Sequence, residues 1–136
     1  MLIRNILEES VRKFDEVKAV KWLKKKEIME RSYGELMENV VSTRKGLLAE
    51  GFEGKHIALI GTSSVEWMES YLGIITGCTT AVPLDAALPC EDLIDLLNRS
   101  DSAALFLSPK LKPYLDAFLE NLSLIHISEP TRLLSI

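Results

Sequence analysis

The sequence is poor in the residues that build covalent or metal-bound frameworks. Its 136 residues include two cysteines, Cys78 and Cys90, and two histidines, His56 and His126. Two cysteines cannot form the disulfide framework of a small secreted protein. No Cys, Asp or Glu stands beside either histidine at the spacing of a metal site. We therefore expect both cysteines to be free thiols that behave as small buried apolar residues, and we assign neither histidine a catalytic or metal-binding role.

Basic charge and long apolar runs are also scarce. Sixteen Lys and Arg residues against twenty Asp and Glu residues give a net charge of −4, which does not favour a nucleic-acid partner. The most apolar stretch, residues 71–84, is interrupted by glycine, threonine and proline and is shorter than the about 20 residues of a membrane-spanning helix. Glu8 and Glu9 stand where a signal peptide needs its apolar core. These features predict a globular cytoplasmic protein with no transmembrane segment.

The first third of the chain has the patterns of a helix, a hairpin and a second helix. Residues 4–14 have helical apolar spacing, and residues 17–23 and 28–33 resemble two short strands. The three lysines at 24–26 then form an exposed turn, with phosphate binding as the alternative interpretation. Ser32 and Glu35 have the spacing of a capping box at the start of the second helix.

From residue 56 onward, strand and helix patterns alternate. The first strand is a continuous apolar run, which is typical of a parallel strand buried on both faces. Ser63 and Glu66 predict a second capping box, before an apolar helix that carries Trp67 and Tyr71. This order predicts an α/β fold: a partial parallel sheet with flanking helices, preceded by an N-terminal helix and a short hairpin. The predicted strands of the sheet are residues 56–61, 79–84 and 103–107.

Motifs that carry chemistry are few. The seven glycines form neither G-x-x-x-x-G-K-[ST] nor G-x-G-x-x-G. The best anion-site candidate is the hydroxyl-bearing loop 61–64, which leads into a helix. The competing interpretation, which we favour, is that Ser63 only caps that helix. Asp85 follows a strand and is either a functional group at the end of the sheet or an ordinary turn residue. We name no catalytic, cofactor-binding or metal-binding residue.

Five short motifs carry a resemblance to a known family. They are Ser-Tyr-Gly-Glu-Leu at 32–36, Gly-Phe-Glu-Gly-Lys-His-Ile-Ala at 51–58, Ser-Val-Glu-Trp at 64–67, Ala-Val-Pro-Leu-Asp at 81–85 and Leu-Pro-Cys-Glu-Asp-Leu at 88–93. In order and spacing, residues 3–121 resemble the N-terminal region of AMP-forming acyl-CoA synthetases of the adenylating-enzyme superfamily, especially bacterial long-chain fatty-acid–CoA ligases. Ser63 stands where that family often has Asn, and residues 77–79 replace a glycine-richer segment, so the substrate assignment is blurred.

The resemblance implies two-step chemistry in a parent enzyme. Such enzymes join a carboxylic acid to the α-phosphate of ATP with magnesium, and the acyl group then passes from AMP to the thiol of coenzyme A. The family's phosphate loop and catalytic lysine lie beyond the region that resembles this chain, so we transfer no site residue. We expect the chain itself to be inactive and to bind no cofactor. The alternative is a complete small α/β binding or regulatory module without catalysis.

The C-terminal residues do not resemble that family. The eleven residues 122–132 read Leu-Ser-Leu-Ile-His-Ile-Ser-Glu-Pro-Thr-Arg, which resembles the translation of a transposon-based sequencing-library adapter. We therefore predict that residues 1–121 are an incomplete N-terminal portion of an adenylating domain. Residues 122–136 are then a non-native tail, and His126 belongs to it. Such a truncation would leave the apolar helix with Trp67 and Tyr71 partly uncovered, so we expect the fragment to self-associate.

Overall fold

The computed structural model, which describes residues 2–122 and 133–135, confirms the predicted α/β class. A two-stranded hairpin and a four-stranded sheet are packed with helices. The elements are, in chain order, α1 (Ile3–Phe14), β1 (Lys18–Lys24), β2 (Glu27–Ser32), α2 (Tyr33–Ala49), β3 (His56–Ile60), α3 (Val65–Ile75), β4 (Thr80–Leu84), α4 (Cys90–Arg99), β5 (Ser102–Leu107), a 3₁₀ helix (Pro109–Tyr114), α5 (Leu115–Asn121) and β6 (Leu133–Ser135).

The four-stranded sheet is parallel, and its strand order is β4-β3-β5-β6. Strand β3 lies between β4 and β5, with Ile60 paired to Leu84 on one side and to Leu107 on the other. Every residue of β3 after His56 is buried. This central position explains why the sequence of β3 is apolar without alternation.

Helices cover both faces of the sheet, so the molecule has two apolar cores. Successive side chains of a strand point to opposite faces. Ile57 and Leu59 of β3 accordingly pack with Leu47 of α2 and Ile74 of α3. The residues between them face the other core, whose helical members are Leu93 and Leu97 of α4 and Phe118 of α5. Three layers result, with the sheet in the middle.

Helix α2 begins and ends at the predicted caps. The Oγ of Ser32 accepts from the backbone N–H of Glu35 at 3.1 Å, and the Ser32 N–H donates to Glu35 Oε1 at 3.3 Å. Hydrogen bonding of the carboxylate by the backbone N–H of Ser32, and next by its side chain, lowers the pKa of the Glu35 carboxyl. At the other end, Gly51 has a φ of +80° and donates to Leu48 O, while Phe52 donates to Leu47 O. These two bonds form a Schellman cap, in which the residue with left-handed backbone conformation is usually glycine.

The hairpin confirms the two predicted strands and places the lysine run at its turn. Strands β1 and β2 are antiparallel, with Leu23 opposite Ile28 and Lys24 opposite Glu27. Lys25 and Lys26 form the two-residue connection, with φ values of 51° and 67°. Two left-handed residues in this position are typical of a type I′ turn. The lysines at 24–26 are exposed, as the sequence pattern predicts.

The second predicted capping box is wrong by one residue. The N-cap of α3 is Ser64, whose Oγ accepts from the N–H of Trp67 at 3.1 Å. The helix starts at Val65, which is buried against the body of the protein, and this packing sets the first turn one residue later than the motif suggests. Ser63 is therefore an exposed loop residue and not the cap.

The prediction that both cysteines are buried is wrong for Cys78. Its side chain is exposed in the turn between α3 and β4, where its carbonyl oxygen accepts from the Gly54 N–H at 2.6 Å. The backbone of Cys78, and not its side chain, holds this turn against the loop before β3. Cys90 is partly buried beside the core formed by α4 and α5, and both thiols are free.

Most of the predicted non-native tail lies outside the described residues. Residues 123–132 and 136 are not described, and His126 is among them. Leu122 is buried in the core with Phe118, and Leu133–Ser135 pairs in parallel with β5. The boundary after Asn121 stays a prediction. Among the described residues, no helix is both long and apolar enough to cross a membrane.

Two helical glycines provide a matched test of the packing between α2 and α3. A Cβ on Gly73 would lie 2.6 Å from both Cβ and Cγ2 of Thr43, whereas a Cβ on Gly46 would meet nothing within 4 Å. We expect Gly73→Ala to lower the free energy of unfolding by about 1–3 kcal/mol through overpacking. Gly46→Ala should raise it by about 0.5–1 kcal/mol, since alanine loses less backbone entropy in a helix. Urea titrations measure both, and equal effects of the two changes would contradict this helix contact.

Candidate functional site

A cleft opens at the carboxyl ends of β3 and β4. These strands are adjacent and parallel, and their last residues, Ile60 and Leu84, are paired. The loops that follow them therefore meet at one edge of the sheet, where α/β proteins commonly bind ligands. The cleft has a volume of about 470 Å³ and is lined by Gly61, Thr62, Ser63, Trp67, Leu84, Asp85, Ala86 and Ala87. It brings together the loop 61–64 and Asp85, which the sequence singled out separately.

Asp85 closes the turn at the mouth of this cleft. Its Oδ1 accepts from the backbone N–H of Ala87 at 2.9 Å, so the turn interpretation is the one that the geometry bears out. The loop on the opposite side presents exposed Thr62 and Ser63 hydroxyls. Because Ser64 serves as the cap, the reason for treating Ser63 as a structural residue no longer holds.

Trp67 is the aromatic lining residue of the cleft, and Tyr71 supports it from behind the lining. Trp67 and Tyr71 of α3 stack with ring centroids 5.2 Å apart and an interplanar angle of 9°. Both rings are half-buried and pack against the core between the sheet and α2. Helix α3 thus packs against this core while both rings keep part of their surface exposed. The cleft combines a flat apolar wall with hydroxyl and backbone groups, which suits binding of a small molecule.

A metal centre and a histidine site each set requirements with which the described part of the chain can be compared. Residues 2–122 and 133–135 contain no group of three His, Cys, Asp or Glu side chains placed to hold a metal ion. His56 lies at the amino end of β3, opposite the cleft, and its Nδ1 is 2.8 Å from the carbonyl oxygen of Ser100. This contact gives His56 a structural role, as the sequence predicts.

A buried ionic cluster, which we call the Glu69 cluster, escaped the sequence analysis. Glu69 of α3 is 4% exposed, and both of its carboxylate oxygens accept from Arg31 Nη1, at 2.8 and 2.9 Å. Asn39 of α2 donates to Glu69 Oε2 at 2.6 Å. Arg31 belongs to β2, and its guanidinium lies 5.4 Å from the ring centre of Trp22. One signal in the sequence could have found it. Glu69 stands four positions from both Val65 and Gly73, on the buried face of α3, where a charged residue needs a partner.

Burial dominates the electrostatics of the Glu69 cluster. Desolvation raises the pKa of Glu69 above its ordinary value of 4.5, although the hydrogen bond from Asn39 and the charge of Arg31 oppose it. The folded protein therefore holds this proton more tightly than the unfolded chain does. The cluster ties the hairpin, α2 and α3 together.

Comparison with known proteins assigns the family. The model of the family described as "AMP-binding enzyme" matches residues 7–133. The chain belongs to the AMP-binding enzyme family. The resemblance seen in the sequence is thereby confirmed at the level of the family. No curated protein sequence matches this AMP-binding family member.

Solved structures show the same fold. An anthranilate CoA ligase in complex with anthranoyl-AMP superimposes with a TM-score of 0.83 and 18% identity, covering 100% of this chain and 25% of the ligase. A long-chain-fatty-acid–CoA ligase from Archaeoglobus fulgidus gives 0.80 and 17%, covering 98% and 27%. A fatty acyl CoA synthetase from Mycobacterium tuberculosis gives 0.77 and 16%, covering 99% and 26%. This AMP-binding family member thus spans about a quarter of these proteins and has the fold of the N-terminal part of adenylating enzymes.

Replacing Glu69 tests the cluster and its pH dependence. Glu69→Gln removes the charge facing Arg31, and we expect a loss of about 2 kcal/mol in the free energy of unfolding at neutral pH. Since the folded-state pKa of Glu69 is raised, the wild type gains stability from this group as the pH falls toward 4.5 and loses that gain as the pH rises. The glutamine variant lacks the gain, so its deficit should grow at lower pH.

Glu66→Gln, on the exposed side of the same helix, is the matched control. It should change the free energy of unfolding by less than about 0.5 kcal/mol. Urea titrations at several pH values measure all three proteins. A Glu69→Gln deficit that shrinks at lower pH would show that the carboxylate is ionised more readily in the fold than in the unfolded chain.

Proposed function

We propose that this chain is the N-terminal part of the adenylating domain of an ATP-dependent acid–thiol ligase. The parent enzyme would activate a carboxylic acid, in our reading a long-chain fatty acid, as an acyl-adenylate and transfer the acyl group to coenzyme A. The observation that carries the proposal is the family match over residues 7–133. The fold likeness to acid–CoA ligases, over nearly the whole of this chain and a quarter of theirs, supports it.

In this proposal the chain supplies framework and one wall of a binding site. The parallel sheet fixes the position of the cleft, and the stacked Trp67 and Tyr71 rings give α3 a rigid apolar side. An aromatic wall next to hydroxyl groups could contact the acid or the adenylate in the parent. A cytoplasmic location accompanies the proposal, since ATP and coenzyme A are available there.

We assign no cofactor of the full reaction to the described residues. They contain no group of three His, Cys, Asp or Glu side chains placed to hold a metal ion. At the cleft, the oxygen of Ser64 is engaged in the helix cap and the carboxylate of Asp85 in its turn. We therefore derive no step through ATP, magnesium or coenzyme A for this chain. In our proposal, those steps use segments of the parent enzyme outside this chain.

An exchange assay tests the proposal. ATP–pyrophosphate exchange, measured with a panel of fatty and aromatic acids, should stay at background with the 136-residue chain. A protein expressed from the source gene with its reading frame continued beyond Asn121 should catalyse exchange with at least one acid, because the missing phosphate-binding segments are then present. Turnover by the short chain would contradict the division of labour proposed here.

The DNA that follows the codon for Asn121 decides between the two functions considered. A reading frame that continues into a Ser/Thr/Gly-rich phosphate loop in independent reads supports the ligase, and it replaces residues 122–136 with native sequence. A stop codon at the same place in independent reads supports the small binding module and overturns the ligase proposal.

A further inference from the structure

The hairpin β1–β2 carries charge of the opposite sign to the rest of the chain. Residues 18–32 contain six basic and two acidic residues, a net charge of +4, whereas the whole chain has −4. The turn concentrates this charge, because the three lysines at 24–26 follow one another and are all exposed. A positive projection on an acidic protein is a local electrostatic feature that would orient the molecule toward an anionic surface.

Two exposed aliphatic side chains lie directly beside those lysines. Leu23 and Ile28 face each other across the hairpin, and their residues are 73% and 69% exposed. Neighbouring residues of a strand point to opposite faces. Because Trp22 and Arg31 lie on the face that turns toward the Glu69 cluster, Leu23 and Ile28 point away from the body of the protein. Neither residue belongs to the two apolar cores described above.

The geometry of the turn does not explain its lysines. Lys25 and Lys26 both adopt a positive φ, a conformation that Asn-Gly occupies at lower cost than any lysine pair. The lysines are therefore kept at some expense in local stability. Folding of the hairpin does not explain why lysines occupy this turn, whereas attraction to a negatively charged partner does.

We propose that the hairpin tip docks peripherally on an anionic membrane surface. Leu23 and Ile28 enter the headgroup region, and the lysines at 24–26 contact the lipid phosphates while their aliphatic stems lie along the interface. Each lysine near such a surface strengthens binding by about fivefold. Docking of this kind is independent of the reaction proposed above.

A bilayer fits the tip better than a macromolecular partner does. Two aliphatic side chains cover only a small part of the about 800 Å² per partner that a stable protein interface buries, so a second copy of the chain or another protein would gain little. Single-stranded nucleic acid is held by aromatic rings on which bases stack, and Leu23 and Ile28 offer none. Binding to a membrane surface requires no complementary shape. It requires only that apolar side chains can enter the interface and that the lipid headgroups carry negative charge.

Vesicle co-sedimentation of the 136-residue chain tests the proposal. The chain should sediment with phosphatidylcholine vesicles that contain phosphatidylglycerol and stay in solution with phosphatidylcholine alone. Added salt should release it, since the lysine–phosphate attraction is screened. Equal binding to both vesicle types, or no binding to either, would overturn the proposal.

Two double variants separate docking from folding. Lys25→Asn with Lys26→Gly should weaken binding to anionic vesicles by about 30-fold through the loss of two charges. The same variant should unfold at higher urea than the wild type, because the turn residues then suit their conformation. Leu23→Thr with Ile28→Thr should weaken binding by about tenfold, since the apolar anchors are lost.

Matched controls come from exposed residues elsewhere in the chain. Lys110→Gln with Lys112→Gln removes two lysines of the 3₁₀ helix, and Leu48→Gln with Leu119→Gln removes two exposed leucines from α2 and α5. Both should bind anionic vesicles within about twofold of the wild type if docking is confined to the hairpin tip. Controls that weaken binding as much as the hairpin variants would show general surface attraction and overturn the assignment to the tip.

Discussion

The carboxylate of Glu69 is the interaction on which the arrangement of the hairpin depends. It lies in α3, yet its partners come from β2 and from α2, so one buried charge joins α3 to two partners that precede Glu69 by 30 or more residues. Removing a carboxylate from water is costly, and the bonds from Arg31 and Asn39 offset only part of that cost. The hairpin must therefore lie close enough to α3 for Arg31 to bond to Glu69.

The same cluster links the two surfaces to which we assign roles. Arg31 faces inward with Trp22, so the strand alternation leaves Leu23 and Ile28 facing outward. On α3, Glu69 faces the hairpin and α2, while Trp67 lines the cleft. The ionic contact therefore joins the hairpin, which carries the basic tip, to α3, which carries one lining residue of the cleft.

Much of the fold was predictable because its signals are local. The apolar run 57–60 indicated a central strand, and the Ser32–Glu35 pair indicated the start of α2, and both are observed. The cap of α3 was predicted one residue early because Ser63 and Glu66 have the spacing of a capping box. The observed cap is Ser64, which bonds to the N–H of Trp67. Burial of Val65 decides between the two serines. The cleft was only half predictable, since nothing local shows that β3 and β4 are neighbours.

Sequence alone determined the α/β class, the sequence of elements, most caps and the membership of the AMP-binding enzyme family, because helical spacing, strand spacing and short motifs are contained in a few neighbouring residues. Tertiary structure decided the strand order, the meeting of loop 61–64 with Asp85, the exposure of Cys78 and the partners of Glu69. Those features join residues far apart in the chain, such as Arg31 and Glu69, or the paired Ile60 and Leu107 of β3 and β5. Such pairs form only when the chain packs, and their electrostatics depend on water being excluded around them.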